Sequence, residues 1–482
     1  MSDGYNRNRE GILFQYVDKV LVMSRYDIII VGGGISGLFS ALILGKHGKK
    51  VLLLEEREFL GGNCNSYMVD GFQVDTGPHA VTGLVNGPTR RIIDEYLDYT
   101  PIFLDYGTYH LRTPDGLVNV PANITEFVGF DLIPRRDRLA LSQAITKAIT
   151  LSAFGIDTTS QSVHDFLPKN LSTHTLEFVN AVCHFLSGRD MKKTSVHRVL
   201  AGSNFMSEPL DDKKNGSKLT EHVTDRISKL SRLATNKVSE SQGYPRGGLK
   251  TLLNAVLYSM PPNVEIQTDH KVKRITTLDG RATGVETDEE SFESSIVVHS
   301  GFAKELPEMV NELPAGYVSD LRRIDQTKSL TVWLGLKEEI PEFNYIGSEI
   351  WFREQPYWAM PISNYTPGLA PRGKQLIGFT FVMNEKRTLK TEKNKAMDTI
   401  TRAIPRIEQF IEMEHCQTTI PEKAAVTIDG YIAENRTPIK NLYIVGTDAD
   451  RRSMGITRAA YSTLHMIQEM KNDGNLKEER IV

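Results

Sequence analysis

Gly32, Gly34 and Gly37 form the spacing G-x-G-x-x-G, and the apolar run that follows is closed by the acidic pair Glu55-Glu56. The chemistry this spacing supports is the binding of a dinucleotide. Gly32 permits a tight turn, Gly34 lets a phosphate approach the backbone, and Gly37 lets a helix lie close on the preceding strand. Ile35 and Ser36 open that helix, whose free N–H groups and partial positive charge suit a diphosphate. A carboxylate ending the second strand can accept both hydroxyl protons of a ribose. Glu55 ends the apolar run and is the choice for that role, although either glutamate can face the sugar.

The elements needed to position these residues are present in order. Tyr26 to Val31 is rich in β-branched residues and reads as a buried parallel strand. Ala41 and Gly48 continue the small-residue spacing along the helix, and Val51 to Leu54 reads as the second strand. Beyond it, Gly61 and Gly62 allow a backbone turn close to a ligand, and Arg57 is placed to approach a phosphate or a neighbouring carboxylate. Gly71 to Ala80 alternates like a strand and breaks at Gly77-Pro78, which leaves His79 as a candidate lining residue of a reactive site.

Bulk properties narrow the field. The chain has 482 residues, 40% hydrophobic and 24% charged, with a formal net charge of −3. That balance fits a globular protein with ample core and carries no basic excess that would point to nucleic acid. The three cysteines, Cys64, Cys183 and Cys416, lie too far apart for a zinc motif or a disulfide framework and suit a reducing, cytoplasmic compartment. Cys64 follows the glycine pair and is read as a small buried residue near the nucleotide. Residues 1–23 read as an N-terminal extension without a signal-peptide pattern, and no apolar stretch is long and uninterrupted enough to span a membrane.

On the residues 26–80 quoted above, the chain resembles the flavin amine oxidase and phytoene desaturase superfamily. The resemblance implies FAD, held by the glycine fingerprint, by the acid and by a G-G-R turn in which this chain carries Asn63 in place of arginine. It returns at GYPRGGLKTLLNAV (Gly243 to Val256) and at YWAMPISNYTPGLAPRGKQLIG (Tyr357 to Gly378), which is similar to a segment of phytoene desaturase relatives. It implies that the backbone at Val272 holds the adenine and that Lys328, at the start of the strand KSLTVWLGL, corresponds to the lysine that amine oxidases place near flavin N5. At the other end of the chain, Leu442 to Val445 reads as a strand, Gly446 as a turn, and Gly455 to Met470 as a helix. The family pattern there implies that Asp448 meets the ribityl chain or diphosphate, and that Gly455, Ile456 and Thr457 present a helix N-terminus to the flavin ring. Asp448 stands one residue later than in the family, and Arg451-Arg452-Ser453 replaces most of a glycine-rich loop.

Between these blocks the texture changes. RRIIDEYLDY, Leu139 to Phe154 and HTLEFVNAVCHFLSG show helical spacing. Ser207 to Leu219 reads as a loose polar segment. Leu219, Val223, Ile227, Leu230 and Leu233 mark one apolar helix face flanked by lysines and arginines, which packs on the protein or rests on an anionic membrane surface. Val264 to Phe302 reads as a strand–hairpin–strand series turning at Asp279-Gly280.

The expected fold is α/β, a doubly wound Rossmann-type FAD domain built from residues 24–90, 241–310 and 425–475. Residues 91–240 and 311–424 then form an inserted α+β substrate domain. No second G-x-G-x-x-G indicates a nicotinamide domain. The expected activity is hydride movement between flavin N5 and a small apolar isoprenoid or polyene substrate, in desaturation, saturation or isomerisation. The rival readings are an amine or protoporphyrinogen oxidase, and a prenyl-lipid carrier of the GDP-dissociation-inhibitor type that needs no flavin.

Overall fold

The computed structural model describes residues 25–77, 80–121, 124–202 and 242–477. The extension at 1–23, His79, the polar segment 207–219 and the helix face 219–233 lie outside the described residues.

A five-stranded parallel sheet carries the glycine turn. Its strands are β1 (Ile28–Val31), β2 (Val51–Leu54), β3 (Val264–Gln267), β4 (Val297–His299) and β5 (Leu442–Ile444), in the spatial order β3-β2-β1-β4-β5. Sequence-distant strands thus lie side by side, and the two ends of the chain share one sheet. Strand β1 shows why its residues are nearly all aliphatic, since both of its faces are buried. Ile28 and Ile30 face a layer of helices, α1 (Ile35–Lys46), α2 (Leu249–Tyr258) and α3 (Gly455–Asn472). Ile29 and Val31 pack with Ile275, Val285 and Phe292 of the opposite layer. Each fully buried aliphatic side chain of this kind contributes roughly 1.5–3 kcal/mol.

That opposite layer is a four-stranded sheet in the order Arg25–Tyr26, Ser291–Ser294, Arg281–Glu286, Arg274–Leu278. Arg25–Tyr26 belongs to it and not to the parallel sheet, so the expected strand from Tyr26 to Val31 divides at Asp27. The turn at Asp279-Gly280 forms as expected, with φ of +52° and +70°.

A seven-stranded sheet stands over the parallel one, its strands drawn from Thr108–Thr113, Gly116–Asn119, Ser329–Leu336, Gly347–Trp351, Tyr357–Met360, Gln375–Val382 and Ile411–Thr419. Helices pack at its far end. Among them Thr173–Ser187 is capped by Ser172, whose side chain accepts from Thr175 N, and stops at Gly188 in the left-handed region. A Cβ on Gly188 would lie 2.4 Å from the Thr327 side chain, so glycine is needed there for space as well as conformation.

One buried ion pair ties this sheet together. The guanidinium of Arg112 donates to both carboxylate oxygens of Glu349, through Nε at 2.6 Å and through Nη2, and also to the Glu342 carbonyl. Tyr345 and Tyr357 donate to the same carboxylate at 2.9 and 2.7 Å.

Candidate functional site

The carboxyl ends of β1, β2 and β4 open into a cavity of about 1590 Å³, bounded on its other side by the strand Ile411–Thr419. This is where an open α/β sheet binds ligands, because the turns beyond its strands leave a crevice. The sequence brings the backbone there by a short list of constraints. Gly32 takes φ +105°, and a Cβ on it would press on Ser300. A Cβ on Gly37 would sit 2.1 Å from the Gly32 carbonyl oxygen, so Gly37 lets α1 lie against the turn. Gly34 differs from both: a Cβ there would meet nothing within 4 Å. Its empty side faces the cavity, and α1 begins with no capping side chain and no acidic residue in its first turn. Unsatisfied helix N–H groups beside open space form a cradle that fits a diphosphate.

Glu55 is held at the rim by its neighbours. Its Oε2 accepts from Gly33 N at 2.6 Å and its Oε1 from Arg57 N at 3.0 Å. Each oxygen keeps a further lone pair, so ribose hydroxyls remain within its capacity. Glu56 pairs instead with Lys271 at 3.2 Å near the surface. Gly61 and Gly62 have φ of +97° and +56°, and Gly61 N donates to Gly33 O, which joins the second glycine turn to the first. Asn63 donates its amide to the Ile420 carbonyl at 2.7 Å and so fastens this turn to the chain that follows the Ile411–Thr419 strand.

Of the residues expected from sequence, Gly32, Gly34, Ile35, Ser36, Glu55, Glu56, Arg57, Gly61, Gly62, Asn63, Val272, Lys328, Gly455 and Ile456 all line this cavity. Gly37, Gly446, Asp448 and Thr457 do not. Asp448 turns inward, fully buried, and its Oδ2 accepts from Ala303 N at 2.7 Å. Thr457 donates to the Thr82 carbonyl. The N-terminus of α3 also departs from expectation: Gly455 N donates to Glu422 Oε1 at 2.6 Å, and the other oxygen of Glu422 pairs with the buried Arg458. A protein carboxylate therefore occupies part of the positive end intended for the flavin ring. Cys64 lines the cavity, but burial pushes its thiol far above the usual range, so it supplies no thiolate.

Several wall residues were not expected from sequence. The loop after β4, with His299, Ser300, Gly301 and Phe302, faces the cavity, as do Thr447 and Lys423. The strand Val297–His299 followed by a Ser-Gly pair was a readable signal for the loop. Nothing in the sequence around Lys423 distinguishes it from a surface lysine.

His299 is 2% exposed. Its Nε2 donates to the Phe302 carbonyl at 3.1 Å, while its Nδ1 is buried without a hydrogen-bond partner. Burial lowers its pKa from 6.5 to about 4, the Phe302 carbonyl opposing and Lys423 reinforcing the shift. Below pH 6.5 the unfolded chain takes up a proton that the folded ring refuses, so stability falls as pH drops through this window. The expected loss is about 3 kcal/mol by pH 4. Chemical denaturation should show the stability difference between the parent and His299→Leu moving toward the variant by that amount; a difference constant with pH contradicts the assignment.

Among the described residues there is no cluster of ligands for a metal ion and no helix long and apolar enough to cross a membrane.

Residues 35–452 match the family model for flavin containing amine oxidoreductases. The all-trans-retinol 13,14-reductase of Macaca fascicularis is 31% identical over 118 residues, which is 23% of this chain and 19% of that protein. Prolycopene isomerase 1 of an Oncidium hybrid cultivar is 33% identical over 103 residues, 20% of this chain and 18% of that one. The matched region thus spans about a fifth of either relative's length. A solved oxidoreductase from Methanosarcina mazei superposes with a TM-score of 0.73 over 92% of this chain and 100% of its own, at 17% identity, a likeness of fold. With the family model covering residues 35–452, most of the chain, it belongs to the flavin containing amine oxidoreductase family and is an FAD-dependent oxidoreductase.

Proposed function

We propose that this enzyme moves a hydride between flavin N5 and an apolar isoprenoid or polyene substrate, in desaturation, saturation or isomerisation. In this reading Glu55 accepts the ribose hydroxyls, the backbone of Val272 contacts the adenine, and the Gly32–Gly34 turn with the start of α1 receives the diphosphate. Bound FAD supplies the hydride chemistry, while the chain supplies binding, orientation and exclusion of water.

The observation that carries the substrate class is the size and lining of the cavity. At about 1590 Å³ it exceeds the roughly 300–1,000 Å³ of an ordinary small-molecule site, so a second molecule fits beside the cofactor. Phe59, Leu60, Leu253, Leu257, Phe302 and Met309 give the wall apolar surface. The retinol reductase and prolycopene isomerase likenesses point the same way. The amine-oxidase reading finds less support. Tyr431, Tyr443 and Tyr461 are turned elsewhere: Tyr443 donates to Asp473, Tyr461 lies under Arg452, and none of the three lines the cavity.

Anaerobic mixing of the FAD-loaded enzyme, oxidised and reduced, with a panel of polyenes, prenyl lipids, porphyrinogens and amines tests the proposal. The expected result is a change of flavin absorbance with a polyene or prenyl lipid. A change confined to amines or porphyrinogens contradicts it, and a colourless protein unable to take up FAD would favour the carrier reading.

A further inference from the structure

Lys423 is the cation in the cavity wall whose surroundings call for an anion. Its ammonium donates to the carbonyls of Ser300 and Gly301, the latter at 2.7 Å, and lies 5.7 Å from the Phe302 ring centre. It is half-buried and, among the described residues, has no carboxylate within ion-pair distance. Burial lowers its pKa, while the more distant Asp448, Glu305 and Glu55 oppose that effect. Asp448 Oδ1, buried without a hydrogen-bond partner, lies near the same turn beyond ion-pair distance, and a further anion would offset more of the cost of burying this cation.

Its location says which anion. The two carbonyls that hold it belong to the loop pressed against Gly32, where a Cβ would meet Ser300 C at 3.1 Å and Gly301 N at 3.2 Å. On its other side, a Cβ on Gly446 would be 3.1 Å from Lys423 Nζ. The ammonium is therefore fixed between the first glycine turn and the turn after β5, the two backbone segments contributed by opposite ends of the chain. Other wall cations are differently placed. Lys271 and Lys273 pair with Glu56 and Asp288, while Lys250, Lys328 and Arg57 are exposed, the last lying over the Phe59 ring.

We propose that Lys423 is the positioning charge for the FAD diphosphate, set in place by Ser300 and Gly301 before the cofactor arrives. Because the ammonium is already pinned, it loses little side-chain freedom on binding. The inference rests on the glycine turn being the FAD site, and the experiment separates the two.

FAD titration of the apoprotein, at low salt and at high salt, is compared for the parent, Lys423→Gln and Lys423→Arg. Glutamine keeps a donor for the loop carbonyls and removes the charge; arginine keeps the charge. The expected result is FAD binding weakened about tenfold or more by glutamine at low salt, a smaller loss at high salt because screening already weakens the parent, and recovery with arginine. Equal affinity of the parent and Lys423→Gln at low salt overturns the proposal. So does a loss that is the same at every salt concentration and is not recovered by arginine, since that pattern marks a loop support. Failure of the parent to bind FAD would instead remove the flavin reading beneath it. Thermal melting of each apoprotein identifies a variant that has lost its fold.

Discussion

Gly34→Leu should yield a protein that folds like its parent and binds FAD at least about a hundredfold more weakly. The backbone permits the change, because Gly34 has φ −66° and ψ 170°, an extended conformation open to any residue. Space permits it too, since the new Cβ would meet no heavy atom within 4 Å. The leucine would then fill the cradle at the start of α1. Hydrogen bonds to a charged group contribute about 1.5–3 kcal/mol each, so displacing the diphosphate from two N–H groups is enough for that loss. Gel filtration followed by flavin absorbance, with melting of the apoprotein, checks both halves. Parent-like flavin retention in Gly34→Leu contradicts the diphosphate assignment. A drop in apoprotein melting contradicts the reading of that space as a ligand's. Gly37 is the contrast, for there even a methyl group would collide with the Gly32 carbonyl.

Arg112→Met should destabilise the protein by about 3–5 kcal/mol, the usual cost of leaving a buried charge without its partner. Glu349 has no exposed surface, and after the change only the hydroxyls of Tyr345 and Tyr357 would face its carboxylate. Against a typical total of about 5–15 kcal/mol the loss is large. Adding Glu349→Gln to Arg112→Met removes the stranded charge while leaving an oxygen for the tyrosines, and should recover at least half of it. A single-variant loss under about 1 kcal/mol by chemical denaturation would show that the pair contributes little, and no recovery in the double variant would show that the guanidinium's packing, including its place over the Phe343 ring, matters more than its charge.

The parts of this molecule readable in sequence are those set by local geometry. Gly32, Gly37 and Asp279-Gly280 each occupy conformations or spaces that few residue types tolerate, so their spacing alone announces turns and close approaches. Ile28 to Val31 is legible as a buried strand because both its faces are covered. The neighbouring Tyr26 is not separable from it by pattern, since only the register of Arg25–Tyr26 with Glu293 and Ser294 assigns it to another sheet. The cavity's second wall is the least legible part. Lys423 and Thr447 reach it because long-range strand order brings their loops there, and Thr447 Oγ1 accepts from Lys423 N at 2.9 Å. Asp448 illustrates the converse: the sequence places an acid after β5, but the side chain is fully buried outside the cavity lining, with Oδ2 accepting from Ala303 N and Oδ1 left without a partner. Glu422 takes the helix end that the sequence had reserved for a ligand, a contact between distant parts of the chain that no local motif encodes.

The most direct measurement of the whole account is an experimental structure of the chain bound to FAD. The expected result is the adenosine sugar at Glu55 and the diphosphate between the Gly32–Gly34 turn and Lys423. FAD bound elsewhere, or lying in this cavity with its diphosphate away from Gly34 and the start of α1, would contradict it.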